Sequence, residues 1–110
     1  MTRYNVLIPS SVIYDIQEIV DYISEEYASI ALAILDRLEN KINSLKSYPD
    51  RGRVVPELLS QNIIEYHELI EAPWRIIYKI FDSNVFILTV IDGRRNVQDV
   101  LLRKLMNKDK

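Results

Sequence analysis

Three β-favouring runs dominate the second half of the chain: "IIEYHELI" (63–70), "WRIIYKIF" (74–81) and "VFILTVI" (85–91). Pro73 separates the first two, and the polar Asp82-Ser83-Asn84 forms a short hairpin turn between the others. Connections this short place consecutive strands side by side in opposite directions, so the runs predict an antiparallel meander. Trp74, Ile76, Tyr78 and Ile80 alternate with Arg75, Ile77, Lys79 and Phe81. The first set is apolar and aromatic, and needs a cover. The second mixes cations with apolar groups, which predicts a partly covered face. In the preceding run Glu65, His67 and Leu69 alternate with Tyr66, Glu68 and Ile70, and only the strand register decides which set joins Arg75.

The first half of the chain supplies the cover. "YNVLI" (4–8) reads as a strand ended by Pro9, with Ser10 and Ser11 as N-cap candidates after it. Ile16, Ile19, Val20, Ile23 and Tyr27 recur at helical spacing opposite Asp15, Glu18, Asp21 and Glu25. From about Ser29 a second stripe runs through Ala31, Leu35, Leu38, Ile42 and Leu45, which predicts an αα-hairpin joined near 26–29. "SYPDRGRVVPELLSQN" (47–62) reads as loop, and Asn96 or its neighbours start a short last helix with Val97, Val100, Leu101 and Leu105 inward. The expected class is α+β, one domain over residues 1–110: N-terminal strand, αα-hairpin, three-stranded antiparallel meander, short C-terminal helix.

Composition then narrows function. The net charge is −2, whereas a free-standing nucleic-acid binder is usually strongly basic, so any basic site must be local. Residues 1–48 hold seven acids against four bases, and residues 49–110 hold nine against ten. The acidic outer faces of the two helices read as solvated surface, or as a meeting place for basic groups of a partner. With no cysteine, thiol chemistry and Cys-based zinc sites are excluded. No His/Asp/Glu spacing supplies several ligands from one element, so neither metal nor cofactor is expected. No apolar run is long enough to span a membrane, and the N-terminal apolar stretch is too short for a signal peptide, so the expected location is the cytoplasm.

The last strand ends in Asp92-Gly93 and is followed at once by Arg94 and Arg95. Arginine is favoured at interfaces, which makes this pair a candidate target-binding group; the competing role is pairing with Asp92 or Asp99 to close the turn. Arg75 has the same two readings: a functional group on the partly covered face, or neutralisation of Glu65, Glu68 or Glu71 across strands. Lys79 shares its face. Arg51 and Arg53, around Gly52, are loop candidates whose simpler role is solvated surface. His67, the one histidine, is more simply structural, as are Trp74 and Tyr78, which read as core and not as a base-stacking platform.

The order of these elements, with "GRVVPEL", "PWRIIYKI" and "VFILTVIDGRR", resembles the RelE/ParE superfamily of bacterial type II toxins, often catalogued as plasmid-stabilisation proteins. The resemblance covers nearly the whole chain. It implies a toxin held in an oligomeric complex with a cognate antitoxin protein. In the RelE branch it implies a ribosome-dependent messenger-RNA endonuclease, for which Arg75, Lys79 and His67 are the available set. That chemistry requires a proton acceptor and cations around a pentavalent phosphorane. The positions where RelE-type toxins carry strand lysines fall here on Tyr66 and Glu68, and the region of their C-terminal tyrosine reads Asp99-Val100-Leu101. A carboxylate beside a scissile phosphate has the wrong sign. In the ParE branch, where Gly-Arg-Arg after the last strand is common, the resemblance implies inhibition of DNA gyrase by binding, with Arg94, Arg95, Arg75 and Lys79 as target-binding candidates. A third reading is an inactive family member that acts only as a binding partner.

Overall fold

The chain begins with a short strand, β1 (Asn5–Leu7), which Pro9 stops and turns into helix α1 (Ser10–Ser24). This is a computed structural model, and it describes residues 3–106. Pro9 is itself the N-cap, with extended backbone and no side-chain capping bond, so the expected Ser10 and Ser11 caps are displaced by one position. Helix α2 (Ala28–Asn43) folds back on α1. Val12 and Ile16 of α1 and Ala31, Ile34, Leu38 and Ile42 of α2 are buried. Tyr27, expected on the first stripe, falls in the join and is 56% exposed.

The meander forms as the sequence predicts, from β3 (Tyr66–Glu71), β4 (Trp74–Phe81) and β5 (Asn84–Asp92). It is the centre of a larger sheet of order β1-β5-β4-β3-β2. β1 runs parallel to the start of β5, and β2 (Arg53–Val54) pairs antiparallel with β3. The segment 47–62 is therefore not plain loop: it holds β2 and one helical turn, α3 (Pro56–Leu59). Two-residue strands and single turns carry no periodicity, which is why the pattern hides them. Helix α4 (Val97–Met106) follows, and the Asn96 side chain accepts from the Asp99 N–H at 3.2 Å as its cap.

Both faces of the sheet are packed. Leu69, Trp74, Ile76, Tyr78, Val85, Ile87 and Val90 meet the αα-hairpin. Tyr66, Ile77 and Ile91 meet Val55 and Leu58 on one side and Val97 and Leu101 of α4 on the other. A bulge explains how β5 serves both. Ile77 lies opposite Thr89 and Tyr78 opposite Ile87, so Leu88 has no partner and the alternation slips by one residue. Val85, Ile87 and Val90 then share the hairpin face. Where β1 ends, the Asp15 carboxylate accepts from the Thr89 hydroxyl at 2.8 Å and lies 3.4 Å from Lys104 Nζ. That contact ties α1 to α4 beside the part of β5 that β1 leaves unpaired, which blunts an open strand edge. No helix among the described residues is long and apolar enough to cross a membrane.

Tyr78 anchors the 49–52 turn: its fully buried hydroxyl donates to the Pro49 carbonyl and accepts from the Gly52 N–H at 3.1 Å. A Cβ on Gly52 would fall on that hydroxyl and 2.7 Å from the Glu68 carbonyl oxygen, so space and not backbone conformation demands glycine. Gly52→Ala is expected to destabilise the fold by about 1–3 kcal/mol, the usual cost of overpacking, read as a lower urea midpoint at unchanged slope.

Candidate functional site

The register puts Tyr66, Glu68 and Ile70 on the face that carries Arg75, Ile77 and Lys79. Glu68 is 1% exposed, and a buried carboxylate must be matched. Two arginines match it. Arg53, mostly exposed, reaches Glu68 Oε2 from β2, and Arg75 approaches Oε1 through Nε at 2.7 Å and Nη2 at 2.6 Å. Arg75 then turns two further N–H donors to Glu57 of α3, with Nη1 at 2.9 Å and Nη2 at 2.7 Å from the two carboxylate oxygens. Its guanidinium is thus held by two acids, which push its pKa up, the Glu57 hydrogen bonds most. Glu57 is held below its ordinary value, chiefly by the same hydrogen bonds. Glu68 is one of the three cross-strand partners, Glu65, Glu68 and Glu71, that the sequence left open. Glu57 was not foreseen; its only signal is its place after Pro56 in a segment read as loop. Glu71 pairs elsewhere, with Arg37 and Lys41 of α2 at 3.6 and 3.7 Å.

The two other sets of candidates lie apart from this network. Gly93 packs on the Arg75 side-chain stem, where a Cβ would sit 2.9 Å from Cδ, and its N–H donates to the Pro73 carbonyl at 2.8 Å. Arg94 and Arg95 project from this corner toward α1, where they line a cleft of about 570 Å³ with Glu18, Tyr22, Trp74 and Val90. Arg94 is committed to Asp92, donating from its backbone N–H at 2.9 Å, Nε at 3.0 Å and Nη2 at 2.7 Å. Those side-chain bonds, then the backbone one, lower the Asp92 pKa to about 2. Arg95 is exposed and makes no side-chain hydrogen bond or ion pair among the described residues. Of the two arginines, one closes the turn and the other is free.

Lys79 lies four residues along β4 from Arg75, about 13 Å at the rise of a strand, with its Nζ 5.7 Å from the Tyr66 ring centroid. The structure therefore does not bring Arg75, Lys79, Arg94 and Arg95 together. His67 pairs with Tyr78 on the hairpin side of the sheet, 6.1 Å between ring centroids, with Nδ1 buried and without a hydrogen-bond partner. It is on the opposite face from Arg75 and Lys79, so these three cannot surround one phosphate. Arg51 donates to Ser44 Oγ, and Arg53, expected as solvated loop, belongs to the Glu68 network. Trp74 and Tyr78 are core. Among the described residues no group of three or more His, Asp or Glu could hold a metal ion.

Comparison with known proteins agrees with this architecture. The sequence matches the pattern of the ParE toxin of the type II toxin–antitoxin system parDE over residues 6–97. Toxin ParE3 of Caulobacter vibrioides is 29% identical over 79 residues, covering 68% of this chain and 71% of that protein. In structure, a chain of the chromosomal ParDE TA system from P. aeruginosa superposes with a TM-score of 0.67 at 14% identity, covering 82% of this chain and 96% of that one. A mutant of E. coli toxin RelE in the free state gives 0.61 at 11% identity, covering 96% and 97%. The architecture is that of the RelE/ParE superfamily of toxins. Within it, the chain belongs to the ParE family of type II toxin–antitoxin toxins.

Two outcomes test the network. Arg75→Ala strands Glu68 beside a single, largely exposed arginine, and is expected to cost about 3–5 kcal/mol in denaturant unfolding. The acids set the pH dependence. Glu57 and Asp92 have folded pKa values below their ordinary 4.5 and 3.8, so on acidification the unfolded chain takes up protons first. Stability is full above that range and falls as pH drops from about 5 toward 2. Thermal melts across this window should show the loss, and Glu57→Gln should make it shallower.

Proposed function

We propose that this protein is the toxin of a toxin–antitoxin pair, neutralised by a cognate antitoxin polypeptide, and that it acts by binding DNA gyrase and not by cutting RNA. The observation that carries the reading is the commitment of Arg75 to Glu57 and Glu68. A phosphorane needs cations with donors to spare, and the strand arginine that would serve a RelE-type endonuclease has turned four of its five N–H donors to carboxylates. His67, the sole imidazole, faces the other side of the sheet. The corner after β5 presents Arg95 in one cleft with the exposed Tyr22, and Arg and Tyr are the residue types on which protein interfaces concentrate their energy. Membership of the ParE family supports the toxin–antitoxin part of the reading. The gyrase target would place the protein in the cytoplasm.

The experiment is DNA supercoiling by purified gyrase with the protein added. Inhibition is expected, and Arg95→Ala should raise the half-inhibitory concentration roughly ten- to thirtyfold, the effect of losing one interface anchor. Full inhibition by a folded Arg95→Ala variant would refute the role of that side chain. No effect of the folded protein at large excess would refute the gyrase target, and would leave RNA cleavage and an inactive binding partner to be separated by growth after induction.

A further inference from the structure

The Arg95 side chain makes no bond of its own among the described residues, yet the backbone that carries it is tied at each residue from 93 to 96. The Gly93 N–H donates to the Pro73 carbonyl at 2.8 Å, and the Arg95 N–H donates to the Asp92 carbonyl at 3.1 Å. Between them the Arg94 N–H donates to Asp92 Oδ1 at 2.9 Å, which closes an Asx turn. Asn96 then starts α4, accepting from the Asp99 N–H through its side chain and from the Val100 N–H through its carbonyl, each at 3.2 Å. The Arg94 guanidinium clamps the carboxylate that makes the turn, with Nε 3.0 Å from Oδ1 and Nη2 2.7 Å from Oδ2. The Arg94 side chain is 76% exposed, and an ion pair so open to water adds little to stability. Its geometric effect is larger. A fork of two side-chain bonds restricts the carboxylate to the orientation that holds the Arg94 N–H.

We propose that Asp92 and Arg94 are positioning residues for Arg95: the pair fixes the turn that aims Arg95 at the protein partner, and Arg94 does not itself touch that partner. The proposal rests on the gyrase reading above and divides the labour of the two adjacent arginines. A guanidinium on a fixed backbone loses only side-chain freedom when it binds, whereas one on a loose turn must lose backbone freedom as well. The packing beneath the turn serves the same end. A Cβ at Gly93 would lie 2.9 Å from Cδ of Arg75 and 3.2 Å from the Pro73 carbonyl oxygen, so the turn sits directly on the sheet. Arg94 turns two of its five side-chain N–H donors to Asp92, so a direct contact with the partner through the others is the competing role. The two roles differ in one respect that can be measured. A contact made by Arg94 would add to that of Arg95, whereas a positioning effect acts only where Arg95 is present.

The test is a double-mutant cycle in the full chain, with two readouts: the half-inhibitory concentration for supercoiling by purified gyrase, and amide hydrogen exchange at positions 94 and 95. Arg94→Ala and Asp92→Ala are each expected to raise the half-inhibitory concentration about three- to tenfold and to speed exchange at both amides. Asp92→Asn keeps a side-chain oxygen for the Arg94 N–H and should stay within about twofold of wild type. In an Arg95→Ala background, Arg94→Ala should change inhibition no further. Fold-changes that multiply in the double variant would make Arg94 a contact in its own right and overturn the proposal. Faster exchange at both amides with unaltered inhibition would also overturn it, because the aim of Arg95 would then not matter. A folded wild-type chain that leaves gyrase untouched at large excess removes the gyrase reading and this role with it, a result distinct from the other two.

Discussion

A carboxylate with 1% exposure sits on the inner face of a central strand, and the rest of the second layer is arranged around it. An isolated ion in that position costs several kcal/mol, so Glu68 must be met by cations with good geometry. Arg75 supplies one from the neighbouring strand and Arg53 another from β2. Arg75 has more donors than Glu68 can use, and Glu57 takes the surplus, which draws α3 onto the sheet. Once α3 is there, Val55 and Leu58 are sealed against Ile77, and α4 closes the other flank. The Arg75 stem also leaves no room for a side chain at position 93, so the same arginine shapes the corner from which Arg94 and Arg95 emerge.

The sequence disclosed what repeats and hid what does not. The meander, the two long helices and the final helix have periodic apolar patterns, and all are present. β2 and α3 are too short to have a period, so they read as loop. The register was open because alternation fixes the faces of each strand separately; only the pairing of Glu68 with Ile77 puts Glu68 beside Arg75. Glu57 was invisible for a related reason: it reaches Arg75 from a distant segment, and nothing local marks it. The bulge at Leu88 breaks the alternation of β5 in a way a strict pattern misassigns. Among the candidate residues, the pairing of an arginine with Asp92 was legible because donor and acceptor lie two residues apart.

One fold carries several activities in this superfamily, so the chemistry of individual positions decides between them. Here the centre of the second face is neutral by construction, each cation facing a carboxylate. Arg95 at the Gly-Arg-Arg corner and Lys79 near the far end of β4 stand apart from that centre and carry no ion pair among the described residues. Cations separated in this way suit recognition of protein surfaces better than the clustered cations that an RNA phosphate under attack requires. The structure thus gives a physical reason for favouring binding over cleavage in the proposed function.

That claim is tested most directly by mapping transcript 5′ ends in cells before and after induction of the protein. The account predicts no new ends, since the described residues bring no side-chain set together to activate a 2′-hydroxyl. New ends phased to codons, lost in an Arg75→Lys variant that remains folded, would contradict it, because they would show that Arg75 leaves its two carboxylates to act on RNA.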